Sequence, residues 1–302
     1  MYDIIGDIHG YAHSLAALLK KLGYEKKFGV YSHPERKAIY VGDFIDRGPD
    51  SRTVLHIVRN MVEAEQALAV AGNHEYNALL LHTIGHDGQP LREHSTKNLW
   101  QTQATADSFR QHQGDWLSYL SWMKTLPLLL ELDEGIRIVH ASWQKLTVQQ
   151  LNARWGKKAL SSDEFLKESK LSGSWARIIV GDCLVGHEIE LPGDLSFRDT
   201  DGHLRKDMRI KWWENPEGKT LKDIGLSGEF PDIAIPESWY DKWPFYGESE
   251  MPVFFGHYWM KGKPAPQRNN VCCLDYSVAD GGILAAYQWN GEKVLAAKNI
   301  QW

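Results

Sequence analysis

Short apolar runs alternate with amphipathic stretches along the first 140 residues of the chain. The apolar runs lie at 2–5, 38–41, 67–71 and 136–139, and helical spacing of apolar residues occurs at 13–22, 51–61 and 75–81. Gly23 closes the first helical stretch, and Ser51 is predicted to cap the second. Strands that alternate with helices in this way predict an α/β fold.

The pattern changes between about residues 186 and 250. This segment is rich in Pro, Trp, Asp and Lys, with turn signals at 192–193, 201–202 and 216–218 and one strand-like alternation at 208–213. We interpret 186–250 as an insertion or cap within a single domain that spans 1–302. Its Trp residues are predicted to pack the cap, and stacking on a base is the alternative. Strands are predicted again at 253–255, 271–274 and 282–287.

Five of the apolar runs end in residues that commonly bind metals. These residues are Asp7, His9, Asp43, Asn73, His140 and His257. The carboxyl ends of strands in an α/β sheet form one edge, where ligands usually bind, so we expect these side chains to lie close together. Asp7 and His9 are two positions apart, a spacing that directs both to one side of a strand end.

The mixture of carboxylates and imidazoles predicts a site for two divalent ions. Such a donor set suits Mn, Fe or Zn, whereas an all-oxygen set would suit Mg or Ca. Two ions about 3.5–4 Å apart need a shared ligand. A carboxylate can bridge them, and Asp43 is the candidate. One ion would be held by Asp7 and His9, and the other by Asn73, His140 and His257.

Three sequence blocks resemble the signature of the calcineurin-like metallophosphoesterases. They are GDIHG at 6–10, GDFIDRG at 42–48 and GNHE at 72–75, and VHA at 139–141 and FGH at 255–257 are similar to the fourth and fifth blocks. The resemblance is narrowest to phosphoprotein phosphatases, symmetrical dinucleoside tetraphosphatases and the phosphatase domain of bacterial polynucleotide kinase-phosphatases. It implies a four-layer α/β/β/α sandwich with a dimetal centre between the two sheets.

The resemblance also implies roles for residues beside the metal ligands. His74 would protonate the leaving alkoxide while Asp46 fixes its imidazole. Arg47 would bind the phosphoryl oxygens, and Asn73 would face the same phosphate. The nucleophile would be a hydroxide bridging two divalent ions, with Mn²⁺ as the first choice and Fe, Zn or Ni as alternatives.

Some positions have rival interpretations. His187 also follows a glycine after an apolar run, but His257 is preferred as the ligand because the expected closing strands follow it. His86 lies in a polar loop and is interpreted as a surface residue. The family's protein phosphatases have a second phosphate-binding arginine. Arg177 and Arg209 are both candidates for this position, and the sequence does not decide between them.

Charge and cysteine content exclude some classes of protein. A net charge of -5 argues against attraction of nucleic acid by a basic field. The three cysteines, Cys183, Cys272 and Cys273, do not fit a secreted disulfide framework. Because the sequence also shows no apolar span and no signal-peptide pattern, we expect a cytoplasmic protein without a membrane partner.

The predicted function is metal-dependent hydrolysis of phosphomonoesters, either on phosphoproteins or on small molecules. Hydrolysis of symmetrical dinucleoside polyphosphates is the alternative, and a non-catalytic metal-binding scaffold is the alternative from another class. The expected partner is a phosphorylated substrate, namely a phosphoprotein, a nucleotide or a dinucleoside polyphosphate.

Overall fold

The computed structural model describes residues 1–191, 195–199, 204–226, 228–243 and 245–302. Its strands are β1 (Tyr2–Ile5), β2 (Glu25–Lys27), β3 (Val30–Ser32), β4 (Lys37–Tyr40), β5 (Ala67–Ala69), β6 (Leu129–Leu132), β7 (Ile136–Val139), β8 (Glu188–Glu190), β9 (Phe197–Asp199), β10 (Leu204–Arg205), β11 (Asp207–Arg209), β12 (Gly228–Glu229), β13 (Val253–Phe255), β14 (Val271–Cys273), β15 (Asp275–Tyr276), β16 (Ile283–Leu284), β17 (Ala286–Trp289) and β18 (Ile300–Gln301). Its α-helices are α1 (Ala12–Lys21), α2 (Ser51–Glu63), α3 (Asn73–His82), α4 (Thr96–Gln101), α5 (Gln103–Ser108), α6 (Gln113–Met123), α7 (Lys145–Arg154), α8 (Asp163–Glu168), α9 (Trp175–Val180) and α10 (Leu221–Ile224). The turn signals predicted at 192–193 and 201–202 lie outside the described residues.

Two mixed sheets form the centre of the fold. The first has the strand order β18-β17-β1-β4-β5, in which β1, β4 and β5 are parallel. The second has the order β14-β13-β7-β6, in which β14, β13 and β7 are parallel. The parallel strands of each sheet therefore end at a common edge, as predicted for the residues that follow them.

The burial of alternating side chains shows how the two sheets and the helices are layered. Ile4 and Ile39 of the first sheet are buried in one cluster with Phe254 of the second sheet. Their neighbours Tyr40 and Phe255 belong to the other cluster, which includes the apolar faces of the helices. Because successive side chains of a strand point to opposite faces, the two sheets pack against each other with helices outside. This arrangement confirms the predicted α/β/β/α architecture.

Aromatic residues of the 186–250 segment pack against the second sheet. Trp212 is fully buried; its indole N–H donates to the carbonyl of Ala141, at 3.1 Å, and its ring lies 5.0 Å from that of Phe255. Trp213 also contacts Phe255, at 5.3 Å between ring centroids. These two Trp residues therefore pack the structure, as predicted, beside strand ends that carry His140 and His257. The bounds of the insertion and the single-domain organisation stay predictions.

Two predicted local features are wrong. The residue that caps α2 is Asp50, whose carboxylate accepts the N–H of Thr53 at 3.0 Å, and Ser51 is already the first helical residue. Both residue types can cap a helix, so the sequence did not distinguish them. The alternation at 208–213 is a strand only as far as Arg209, because the chain turns soon afterwards: the N–H of Trp212 donates to the carbonyl of Ile210 at 2.9 Å.

The helices of the described part of the chain are also informative about membranes. None of them combines the length and the apolar character needed to cross a bilayer. Cys183, Cys272 and Cys273 are all buried and form no disulfide, in agreement with the absence of a disulfide framework expected from the sequence.

Candidate metal centre

The ends of strands from both sheets meet at one place. The loop after β1 is tied to the loop after β4, because the N–H groups of Ile8 and His9 both donate to the carbonyl of Asp43. The loop after β13 is tied to the loop after β1, because the N–H of His257 donates to Asp7 Oδ2 at 3.0 Å. The backbone of His140 accepts the N–H of Gly256. These bonds bring the predicted ligands together.

Asp43 is central among the predicted ligands. Its Oδ2 lies 3.5 Å from His9 Nε2 on one side and 3.5 Å from His140 Nε2 on the other. His74 Nε2 lies 4.0 Å from the same oxygen. A single carboxylate oxygen between two imidazoles is the arrangement expected of a ligand shared by two ions.

The other half of the site is built around Asn73. Its Oδ1 lies 3.0 Å from His140 Nε2 and 3.0 Å from His257 Nδ1. Asp43, His140 and His257 place one ligand atom each within 4.8 Å of one another, and so do His9, Asp43 and His74. The structure therefore brings together all six predicted ligands.

Backbone carbonyls select the tautomer of two of these imidazoles. His9 Nδ1 donates to the carbonyl of Ile45, at 3.1 Å, and His140 Nδ1 donates to that of Val41, at 2.9 Å. In the neutral imidazole this leaves Nε2 as an unprotonated acceptor. His140 Nε2 lies 3.0 Å from the oxygen of Asn73, and this contact needs either a proton on Nε2 or a cation beside both atoms.

Unsatisfied buried atoms provide a direct test of whether the residues fit metal ions. Asp7 Oδ1, His9 Nε2 and His257 Nε2 are buried without a hydrogen-bond partner among the described residues. Such atoms are costly unless something else satisfies them. Since all three belong to the predicted ligand set, the donor set fits divalent ions.

The pKa values of the site show the same need for positive charge. Burial and the carboxylate of Asp275 raise the pKa of Asp7 well above its usual value. Burial lowers the pKa of His9 to about 3, so this imidazole is neutral and able to act as a ligand. Burial opposes protonation of His140, but Asp43 outweighs it and raises the pKa to about 10. Asp43 therefore favours a positive charge beside it, which a divalent ion also supplies.

Left-handed backbone conformations concentrate at the site. His9 (φ 47°), Asp43 (φ 54°), Asp46 (φ 68°), Arg47 (φ 68°) and His257 (φ 72°) all have positive φ. Residues with a Cβ seldom adopt this conformation, and it is commonly retained where function requires it.

Gly256 shows how closely the site is packed. A Cβ atom at this position would lie 1.8 Å from Asp7 Oδ1. The residue before His257 must therefore be glycine for Asp7 to keep its place.

His74 and Asp46 form a hydrogen-bonded pair next to the ligands. His74 Nδ1 lies 2.7 Å from Asp46 Oδ2, and the rest of the imidazole points toward Asp43. Burial lowers the pKa of His74, but the carboxylates of Asp43 and Asp46 outweigh burial and raise it overall. This is the geometry of a proton donor whose ring is oriented by a carboxylate.

Thr105 supports the pair of His74 and Asp46, and the sequence did not predict this role. Its hydroxyl donates to Asp46 Oδ1 at 2.6 Å and accepts the N–H of Asp46 at 2.8 Å. Thr105 is 2 % exposed and lies on α5. No motif near it in the sequence indicated the contact, which joins residues 59 positions apart.

Glu75 is a second residue whose role the sequence did not reveal, although it lies in a signature block. Its carboxylate accepts the N–H groups of Asp43, Phe44 and Gly72, each at 2.8 Å. Glu75 therefore fixes the loop that carries Asp43 onto the start of α3, which carries Asn73.

Two arginines lie near the metal ligands. Arg47 stacks on the ring of Trp259, with the guanidinium carbon 4.2 Å from the ring centroid. Burial and the charges of His140 and Arg209 lower the pKa of His257, which places Arg209 within electrostatic reach of that ligand. Arg209 Nη2 donates to Glu188 Oε1 at 3.3 Å, and its Nε is buried without a partner among the described residues.

The rival positions lie outside the ligand cluster. His187 Nδ1 pairs with Asp182 at 2.8 Å, and His86 is exposed in its loop. Arg177 lies on α9; burial raises the pKa of Tyr76, and the charge of Arg177 opposes this shift. His187 is thus paired outside the ligand cluster, whereas the choice between Arg177 and Arg209 stays a prediction.

Comparison with known proteins places these features in context. The family model described as calcineurin-like phosphoesterase matches residues 2–198. These residues include Asp7, His9, Asp43, Asn73 and His140 of the ligand cluster.

Three curated relatives match with different coverage. A bis(5'-nucleosyl)-tetraphosphatase PrpE (asymmetrical) of Halalkalibacterium halodurans is 47% identical over 28% of this chain and 34% of its own length. The protein of the same name from Anoxybacillus flavithermus is 33% identical over 62% of this chain and 78% of its own length. A bis(5'-nucleosyl)-tetraphosphatase, symmetrical, of Hamiltonella defensa is 27% identical over 96% of this chain and 94% of its own length. The chain thus spans about a third of the length of the Halalkalibacterium halodurans protein and nearly all of the length of the Hamiltonella defensa protein.

Proposed function

The chain belongs to the calcineurin-like phosphoesterase family and is a phosphoric ester hydrolase, and we propose that it hydrolyses dinucleoside polyphosphates. The names of the relatives support this substrate class, because both kinds of relative are tetraphosphatases. The relative that matches almost the whole chain is named symmetrical, and the one that matches 62% of it is named asymmetrical. The cytoplasmic location stays a prediction.

One observation carries the proposed chemistry. Asp43 Oδ2 lies 3.5 Å from both His9 Nε2 and His140 Nε2, and unpaired buried atoms of Asp7 and His257 complete the set. Together with Asn73, these residues would hold two divalent ions, with Mn²⁺ as the first choice from the mixed N and O donor set. Bound there, the ions would lower the pKa of water and neutralise phosphate charge.

The chain's own residues supply the remaining functions. Arg47 donates to the phosphoryl oxygens, and its stacking on Trp259 keeps its guanidinium plane in one orientation. Arg209 is proposed as the second phosphate-binding arginine, because its buried Nε has no partner among the described residues and its charge reaches His257.

His74 moves the proton. Asp46 accepts the hydrogen bond from His74 Nδ1 at 2.7 Å, so the proton that can be donated lies on Nε2, on the side of Asp43. Donation from Nε2 to the leaving oxygen avoids the release of a strongly basic group. The benefit is larger for an alkoxide or phenoxide than for a nucleoside phosphate, which is already a stable anion.

Phosphomonoesters are the second candidate substrates, and they would use the same ions, arginines and proton donor. The test is a substrate panel assayed with Mn²⁺, containing diadenosine tetraphosphate, a phosphopeptide, nucleotides and p-nitrophenyl phosphate. We expect kcat/KM for diadenosine tetraphosphate to exceed that for the monoesters by at least about tenfold, which corresponds to about 1.4 kcal/mol of transition-state binding. A preference for a phosphopeptide of that size would refute the proposal.

The products of diadenosine tetraphosphate distinguish two modes of cleavage. Symmetrical hydrolysis gives two molecules of ADP, whereas asymmetrical hydrolysis gives AMP and ATP. Asp43→Asn is the control, because the loss of the shared carboxylate charge should abolish hydrolysis of every substrate in the panel.

A further inference from the structure

Three basic residues gather around Tyr76, one turn beyond the start of α3. Arg92 spans the gap from α3 to α4: its Nη1 donates to Asn77 Oδ1 at 2.6 Å and its Nη2 to Gln101 Oε1 at 2.7 Å. Both partners are neutral amides. Arg92 Nε is buried without a partner among the described residues. Arg92 is therefore held in place with its charge uncompensated.

Lys170 and Arg177 belong to the segment from α8 to α9, which contacts Tyr76 through Ser169. The hydroxyls of Tyr76 and Ser169 lie 2.6 Å apart, which places the end of α8 and the adjacent Lys170 against α3. Partial burial and the charges of Arg177 and Arg92 lower the pKa of Lys170. The three cations therefore lie within electrostatic reach of one another.

These three residues have no acidic partner among the described residues. No carboxylate lies within 4.0 Å of the charged nitrogens of Arg92, Lys170 or Arg177, in the part of the chain that the structure describes. Other arginines of the chain are paired, for example Arg52 with Asp115 at 2.7 Å. Because the chain has a net charge of -5, a cluster of three unpaired cations does not reflect a general excess of basic residues.

The cluster lies next to the metal centre. Asn77, which holds Arg92, is four residues after Asn73 on α3, so its Cα lies about 6 Å further along the helix axis on the same face. Burial lowers the pKa of Arg92, and Asp46 is the carboxylate that opposes this shift. An anionic chain that begins at the metal centre can therefore reach the cluster after a short distance.

We propose that Arg92, Lys170 and Arg177 form a subsite for the non-reacting phosphates of a polyphosphate substrate. The inference rests on the proposed function, because it concerns the part of that substrate beyond the phosphorus that is attacked. A phosphomonoester on a small leaving group would not extend to the cluster. The subsite therefore favours polyphosphates through KM rather than through the chemical step.

The test uses two exposed members of the cluster. The double variant Lys170→Gln/Arg177→Gln removes two charges without changing Arg92, whose amide contacts support α3 and α4. Its matched control is Lys20→Gln/Lys293→Gln, which removes the same charge from exposed residues on α1 and after β17. Each protein is assayed with Mn²⁺ on diadenosine tetraphosphate and on p-nitrophenyl phosphate, and inhibition by inorganic tripolyphosphate and by orthophosphate is measured.

We expect KM for diadenosine tetraphosphate to rise about tenfold in the cluster variant, as two contacts that each contribute about threefold would give. Inhibition by tripolyphosphate should weaken by a similar factor, while kcat, the constants for p-nitrophenyl phosphate and inhibition by orthophosphate stay within about twofold. The control variant should match the wild type.

Two results would overturn the inference: unchanged tripolyphosphate inhibition in the cluster variant, or an equal rise in KM for both substrates. Failure of the proposed function would be seen differently. The wild type would then cleave p-nitrophenyl phosphate and leave diadenosine tetraphosphate intact, whatever the tripolyphosphate measurements show.

Discussion

The hydroxyl of Thr105 should control how well His74 donates its proton. Thr105→Val replaces the hydroxyl with a methyl group of similar size, so packing is largely kept. The change removes the hydrogen bond to Asp46 Oδ1, at 2.6 Å, and the better of the two acceptors of the Asp46 N–H, at 2.8 Å. That N–H retains only Ser51 Oγ, at 3.2 Å. The carboxylate of Asp46 then keeps one hydrogen bond, the one with His74.

The magnitude follows from these two bonds. A hydrogen bond to a charged group contributes about 1.5–3 kcal/mol, and a weakened bond to a backbone N–H adds about 0.5–1 kcal/mol. We therefore expect the free energy of unfolding to fall by about 2–4 kcal/mol. If about 1.4 kcal/mol of this loss also affects the transition state, through a less well oriented His74, kcat falls about tenfold.

The assay compares leaving groups, because a merely structural effect would not depend on them. Phenyl phosphate needs a proton donor more than p-nitrophenyl phosphate does, since phenoxide is the stronger base. The rate of Thr105→Val on phenyl phosphate should therefore fall several-fold more than its rate on p-nitrophenyl phosphate, with metal content unchanged. Urea unfolding provides the stability measurement.

Thr105→Ser and Thr102→Val are the matched controls. Thr105→Ser keeps the hydroxyl and should restore the leaving-group dependence, and Thr102→Val removes a hydroxyl that bonds only to the carbonyl of Leu99. Equal losses on both substrates in Thr105→Val, or a Thr105→Ser variant as impaired as the valine variant, would refute the reasoning.

Three further variants test other parts of the site and the fold. His74→Asn should slow hydrolysis of phenyl phosphate by about 10²–10⁴-fold, while the metal content measured by mass spectrometry stays the same. A loss of metal in this variant would show that His74 is a metal ligand and not the proton donor. Gly256→Ala should reduce metal content and activity together, because the Cβ of the alanine would lie 1.8 Å from Asp7 Oδ1. A variant with full metal content and normal activity would contradict the packing argument. Asp3→Asn breaks the buried pair with Arg36 (2.8 Å), so urea unfolding should show a loss of about 3 kcal/mol with normal activity in the folded protein.

The metal ligands could be predicted from the sequence because each lies within four residues of the end of a strand. The position of Asp43 after β4 and of His140 after β7 is local information, and parallel pairing then brings strand ends to one edge. The four-layer arrangement, in contrast, was expected only from the resemblance of the signature blocks to the calcineurin-like metallophosphoesterases. The positions of the ligands depend on a short-range pattern that one sequence contains.

Contacts made by distant helices could not be predicted in the same way. Thr105 meets Asp46 across 59 positions, and Arg92 reaches α3 through Asn77, with no periodic pattern to indicate either contact. The left-handed conformation of Arg47 was also hidden, because residues with a Cβ rarely adopt it and no glycine marks the place.

Competition between similar signals explains the local errors. Asp50 and Ser51 are both good capping residues, and the choice depends on which of them has the extended backbone before α2. The alternation after Arg209 has the period of a strand, but the chain turns there, because the N–H of Trp212 donates to the carbonyl of Ile210.

The count of metal ions per chain tests the dimetal centre most directly. The wild type and Asp43→Asn would be loaded with Mn²⁺, dialysed and analysed for metal by mass spectrometry, with circular dichroism to confirm the fold. Because Asp43 is placed between both halves of the site, we predict about two ions per chain in the wild type and weakened binding of both in the variant. One ion per wild-type chain, or two tightly held ions in Asp43→Asn, would contradict the account.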